Sequence, residues 1–149
     1  MAKFVFKMQN LLDVKIKLEG QAKTEFSLAA NRLKAEEEKL EQIYQDIENY
    51  YELIRAENGK TLDIQELKRC TDAIEIKKLQ AQEQKKEIKK AERILELARE
   101  NLNKTMVDRK TYEVLKDKAF EEFKMQISNE EKKEIDELVS FKYSERKDW

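Results

Sequence analysis

A chain of 149 residues with no proline and only two glycines, Gly20 and Gly59, contains almost nothing that interrupts a helix. Proline would remove a backbone donor and clash with the preceding turn, and glycine would add backbone freedom, so a sequence nearly free of both can stay helical for tens of residues. Charged residues make up 42% of the chain, which points to long, solvent-washed helices instead of a compact mixed fold. The 40% hydrophobic share excludes a disordered acidic tail, yet it includes many alanines, as suits a two-helix rod that buries a narrow apolar strip.

Periodicity turns this expectation into an architecture. Phe4, Met8, Leu11, Lys15, Leu18 and Ala22 follow steps of four and three, and Phe26, Ala29, Leu33, Glu36, Leu40, Ile43, Ile47, Tyr50 and Ile54 continue them as a coiled-coil seam. The consecutive steps of four from Leu18 through Ala22 to Phe26 predict a stutter with Gly20 inside it, either a flex point or, the favoured reading, a glycine the helix tolerates at a cost of about 1 kcal/mol. The segment "YYELIRAENGKTLDIQEL", residues 50–67, then predicts the chain's reversal. Gly59 supplies a helix-ending residue, Asp63 and Glu66 have capping-box spacing, and Leu62 and Leu67 stand as a hydrophobic staple. Beyond it the stripe resumes through Cys70, Ile74, Lys77, Ala81, Gln84, Ile88, Ala91, Leu95, Ala98, Leu102 and Thr105.

The expected fold is therefore all-α: two long helices in an antiparallel coiled-coil hairpin, with room for a short extra C-terminal helix. As one elongated domain over residues 1–149, it has helix one at about 4–56, a turn at about 57–62, helix two at about 63–127 or beyond, and a C-terminal segment at 128–149. Helix one would be about 80 Å long at about 1.5 Å per residue. With the turn centred on Gly59 and Lys60, residue i faces residue 119 − i, so Phe4 faces Leu115 and the last 34 residues overhang. Toward and into that overhang Tyr112, Ala119, Phe123 and Ile127 keep the seam partly apolar beside Arg109 and Lys116, and Ser128 with Glu131 offers a second capping box. The same register sets Glu36, Glu37, Glu38 and Glu41 near the basic cluster from Lys77 to Arg93, charges that select helix pairing and orientation.

Several function classes are excluded. Lysine plus arginine number 31 against 32 acidic residues, so no whole-molecule field attracts nucleic acid or a membrane. The basic cluster is interrupted by Glu83, Glu87 and Glu92 and has no interleaved aromatics, as befits a solvated helix face. The N-terminus lacks the pattern of a secretory signal and no run of 18 apolar residues exists, which predicts a cytoplasmic protein. A lone Cys70 forms no internal disulfide, and with no histidine a His-containing zinc site is impossible. "ENGKT" ends like a phosphate-binding loop but lacks the earlier glycine and the preceding strand. A thin rod also gives its carboxylates no enclosed cavity in which to shift their pKa values, so no catalytic, cofactor or metal-binding residue is expected.

What remains is binding through surfaces and ends. Tyr44 and Tyr51 lie one position off the seam residues Ile43 and Tyr50, and Ile76 and Leu79 flank the seam on the facing helix, a candidate contact patch near the bend. At the other end Phe4, Val5, Phe6, Leu11, Leu12, Phe120, Phe123, Phe141, Tyr143 and Trp149 are more apolar than a two-stranded rod needs. They either pack the base or enter a socket in a partner.

"FVFKMQNLLDVK" from Phe4 to Lys15, then "LEGQAKTEF", and near the end "EKKEIDELVSFKYSERK" resemble the flagellar export protein family FliJ. The resemblance covers essentially the whole chain. It implies a non-enzymatic stalk of the flagellar type III export apparatus, cytoplasmic and held near the inner membrane through its partners. It further implies an end that enters and stimulates a hexameric export ATPase, a rod that reaches the cytoplasmic domain of the membrane export gate, and the escort of export chaperones. Carried onto this sequence, the resemblance implicates Phe4, Phe6, Leu11 and Leu12 in ATPase-ring contact or base packing, and the apolar base adds Phe120 and Phe123. For the gate contact the resemblance matches Ile43 and Tyr50, and the patch near the bend adds Tyr44, Tyr51, Ile76 and Leu79. The competing reading is a generic structural or chaperone-like coiled coil of another secretion system.

Overall fold

A computed structural model describes residues 3–57 and 63–147, with side chains for 3–56 and 63–142. The expected turn with Gly59 and Leu62, and the side chains of Tyr143 and Trp149, lie outside the described residues. Two helices account for nearly all of the described chain, α1 (Gln9–Glu57, 49 residues) and α2 (Ile64–Lys147, 84 residues). The fold class is the expected one, all-α with paired antiparallel helices, and the described residues contain no strand.

The helix starts follow from local hydrogen bonding. Asp63 caps α2: its carboxylate accepts the Gln65 N–H at 3.1 Å and its carbonyl accepts the Leu67 N–H at 3.2 Å, satisfying donors that the first turn leaves unpaired. Glu66 adds a negative charge in that first turn, where the helix dipole favours it. Nothing comparable begins α1, which opens where the Met8 carbonyl accepts the Leu12 N–H at 3.0 Å, after a turn closed by Gln9 N–H on the Phe6 carbonyl. Phe4 to Met8 are thus a non-helical lead-in, and α1 starts five residues later than the seam predicts. At the other end α2 passes Ser128 and Glu131 unbroken, so the possible extra helix is a continuation of α2.

The chain forms two compact units. Unit 2, Gly20–Asn103, is the coiled-coil pair that the sequence describes. Its most buried side chains are Ala22, Ala29, Ile74, Ala81 and Ala91, all seam positions, and small residues there let paired helices approach closely. Polar seam residues are bridged across the pair: Gln84 donates to the Glu36 carbonyl at 2.9 Å and to the Glu36 carboxylate, and Lys77 pairs with Asp46 at 3.2 Å. Arg99 lies over the Phe26 ring at 6.0 Å. The partner number falls as the α1 number rises, which defines the antiparallel sense. The acidic run does not meet the basic cluster as expected: Glu36 takes Gln84 as its cross-helix partner, while Lys78, Lys86 and Lys90 pair within α2 with Glu75, Glu83 and Glu87. At spacings of three residues these lysines reach their own helix neighbours first.

Unit 1, Met1–Glu19 with Lys104–Trp149, corrects two expectations. Its inward α1 residues are Leu12, Lys15 and Glu19, with Phe6 on the lead-in, whereas Met8, Leu11 and Leu18 are exposed. Glu19 is 5% exposed and Leu18 41%, because Glu19 pairs with Arg109, whose guanidinium also donates to Glu113 at 2.7 Å. The α1 stripe therefore runs 12, 15, 19, 22, 26 and 29 in alternating threes and fours. No stutter exists, and Gly20 sits on an exposed face of a continuous helix. The second correction concerns register. Phe4 packs on Phe120 and Phe123 and not beside Leu115. The helices already carry this shift: Lys15 meets Asp108 and Tyr112, and Glu19 meets Arg109, all farther along α2 than the expected register sets them, and Phe4 keeps the same offset.

Candidate functional site

Two groups of side chains were expected to bind partners, and each is placed within one unit. In unit 1, the Phe4 ring meets Phe120 edge-on at 5.1 Å between centroids and Phe123 at 5.4 Å, arrangements that aromatic pairs favour. Phe6 and Leu12 are buried, so the alternation of "FVF" faces Phe4 and Phe6 inward and leaves Val5 outside. Val5, Met8, Leu11 and part of Phe120 remain exposed, and Lys124 holds its ammonium 4.6 Å from the Phe120 centroid. A groove of about 400 Å³ lies between Phe4, Phe6, Met8, Ala119 and Phe123. Farther along α2, residues 128–142 are exposed throughout, and Ile135, Leu138, Val139 and Phe141 give that stretch more apolar surface than a solvated helix carries.

The second group divides in unit 2. Ile43, Ile76 and Leu79 line one groove of about 490 Å³ with Gln80, Glu83, Gln84 and Glu87. Tyr44 is not among its walls; its ring lies 6.0 Å from the Lys85 ammonium. The offset from the seam explains the division, since Ile76 precedes seam residue Lys77 by one whereas Tyr44 follows Ile43 by one. Tyr50 is half-buried and Tyr51 is partly exposed.

A third surface was missed by the sequence reading. Glu25, Leu28, Ala29, Arg32, Ile94, Leu97, Ala98 and Asn101 line a groove of about 500 Å³ in unit 2. Its signal was available: Leu28, Ile94 and Leu97 each precede a seam residue by one, as Ile76 does, and each is exposed.

Hydrogen bonds and ion pairs hold three groups in their charged forms. Gln84, hydrogen-bonding the carboxylate, holds Glu36 below the usual glutamate range. Gln42 and then Lys77 do the same for Asp46, and Glu19 and Glu113 push Arg109 further up. Each shift favours the charged form, whereas a general acid or base needs a pKa near the working pH. Among the described residues no group of three or more His, Cys, Asp or Glu could hold a metal, and no helix is long and apolar enough to cross a membrane.

A family model described as "Flagellar FliJ protein" matches residues 4–148. Neither the comparison with curated proteins nor that with solved structures finds a match.

Proposed function

The chain belongs to the FliJ family of flagellar proteins, and from that premise we propose that it is a non-enzymatic stalk of the flagellar type III export apparatus. The family match over nearly the whole chain carries this reading; the apolar surface left over in unit 1 supports it. In this account unit 1 enters the ring of a hexameric export ATPase. Phe6, Leu12, Phe4 and Phe123 fix the shape of that end, while Leu11 and Phe120 contact the ring. Unit 2 meets the cytoplasmic domain of the export gate through Ile43, Ile76 and Leu79, with Tyr50, Tyr44 and Tyr51 beside them, and export chaperones are further partners. The protein works in the cytoplasm and is held at the inner membrane by these partners alone.

The mechanism follows from linkage. A stalk that binds the assembled hexamer more tightly than free subunits stabilises the hexamer by that difference, and the hexamer raises the affinity for the stalk in equal measure. Paired helices locked by cross-helix polar contacts supply a stiff element that transmits the state of the ring.

The test mixes the purified chain with the flagellar-type ATPase of the same organism and measures hydrolysis and hexamer formation. The reading expects both to rise and the two proteins to co-purify. No change in either, with no co-purification, favours a coiled coil that acts without an ATPase.

A further inference from the structure

We propose that the groove of Leu28, Ile94 and Leu97 in unit 2 is a contact for a second copy of this chain, the two copies related by a two-fold axis. The axis passes between Leu28 and Ala29 on α1 and between Leu97 and Ala98 on α2. Both helices meet the groove with the same spacing, Glu25, Leu28, Ala29 and Arg32 on one wall and Ile94, Leu97, Ala98 and Asn101 on the other. A two-fold axis at their centres makes the surface complementary to itself.

Each leucine then meets a small residue, while Ile94 of one copy faces Asn101 of the other. Leu28 of one copy lies on Ala29 of the other, and Leu97 lies on Ala98, so four exposed leucines fill the shallow sites that the alanines leave. Leu28 is 64% exposed and Leu97 65%, side chains that a single copy leaves in water. Charge agrees with shape. Within one chain Glu25 and Arg32 are seven residues apart, and among the described residues no ion pair joins them, although that spacing admits one, as Arg55 and Glu48 show at 3.6 Å. The two-fold axis brings Glu25 of each copy to Arg32 of the other, placing an ion pair on either side of the leucine cluster. The apolar patch is small, so the association belongs with weak, transient interfaces. It does not use the surfaces assigned to the ATPase and the gate, and it stands whether or not those assignments hold.

Sedimentation velocity on the purified chain, carried to hundreds of micromolar, tests this. The expected result is a monomer–dimer equilibrium that Leu28→Glu or Leu97→Glu abolishes without loss of helicity, since both side chains are exposed. Glu25→Arg alone and Arg32→Glu alone should each weaken the dimer about tenfold or more by setting like charges against each other, while the two together restore it to within about threefold. That rescue is read in dimer affinity, which re-forming an ion pair within one chain would not restore. A chain that stays monomeric at every concentration, or a double reversal no better than the single ones, overturns the proposal.

Discussion

Leu11 and Leu12 are adjacent and chemically identical, and the structure gives them opposite roles. Leu12 is 3% exposed and Leu11 49%. Replacing Leu12 by alanine removes three buried carbons, about 2.4 kcal/mol of transfer free energy at about 0.8 kcal/mol each. A residual cavity brings the cost to roughly 3 kcal/mol, inside the range of about 2–5 kcal/mol seen for buried leucines. At Leu11 half of that surface is already in water, and the expected cost is about 1 kcal/mol. Amide hydrogen exchange resolves the two, because unit 1 can open on its own. Leu12→Ala should speed exchange of the slowest α1 amides in unit 1 roughly a hundredfold, and Leu11→Ala about fivefold. In the ATPase assay the order inverts: Leu11→Ala lowers stimulation with the fold intact. Equal exchange rates in the two variants would refute the seam assigned to unit 1.

Three further outcomes are expected. Arg109→Leu alone should destabilise unit 1 by removing the cross-helix partner of the buried Glu19, while Arg109→Leu with Glu19→Leu should recover stability, since replacing both members of such a pair with apolar residues is often neutral; a double-mutant cycle in chemical denaturation without coupling would refute the pair. Glu36 and Asp46 have folded pKa values below their unfolded ones, so their contribution to unit 2 is complete above the ordinary carboxylate range and is lost as pH falls through the folded values. Gln84→Ala should move the Glu36 titration, followed by NMR, up toward that range, and an unmoved midpoint would contradict the hydrogen-bond cause. Gly20 has no positive φ and nothing within 4 Å of an added Cβ, so Gly20→Ala should stabilise α1 by about 0.5–1 kcal/mol in thermal denaturation; a loss would mean that the position needs glycine's freedom.

Unit 2 was legible in the sequence because its alternation is unbroken from Ala22 to Ile54 and from Leu67 to Leu102, and every residue placed on that seam is buried or half-buried. In unit 1 the α2 side was equally legible, through Tyr112, Ala119, Phe123 and Ile127. The α1 side was not, because Leu18 is apolar and Glu19 charged, and a single-helix pattern discounts charge. What turns Glu19 inward is Arg109, ninety residues away, and such pair information is not contained in the periodicity of one helix. Counting back from Ala22 in threes and fours gives Glu19, Lys15 and Leu12, so the register was present but outweighed. The lead-in was misread for a related reason: "FVF" alternates with a period of two, and a search for helical steps absorbed Phe4 while leaving buried Phe6 off the seam. At the candidate gate surface the residue types were foreseen, but the flank that each occupies depends on whether it precedes or follows its seam neighbour.

The functional account is tested most directly by photo-cross-linking from chosen positions to the export ATPase under hydrolysing conditions. A photoreactive residue at Leu11 or Phe120 should capture the ATPase, and one at Leu79 should not. Capture from Leu79 with none from Leu11 or Phe120 would contradict the assignment of unit 1 to the ring.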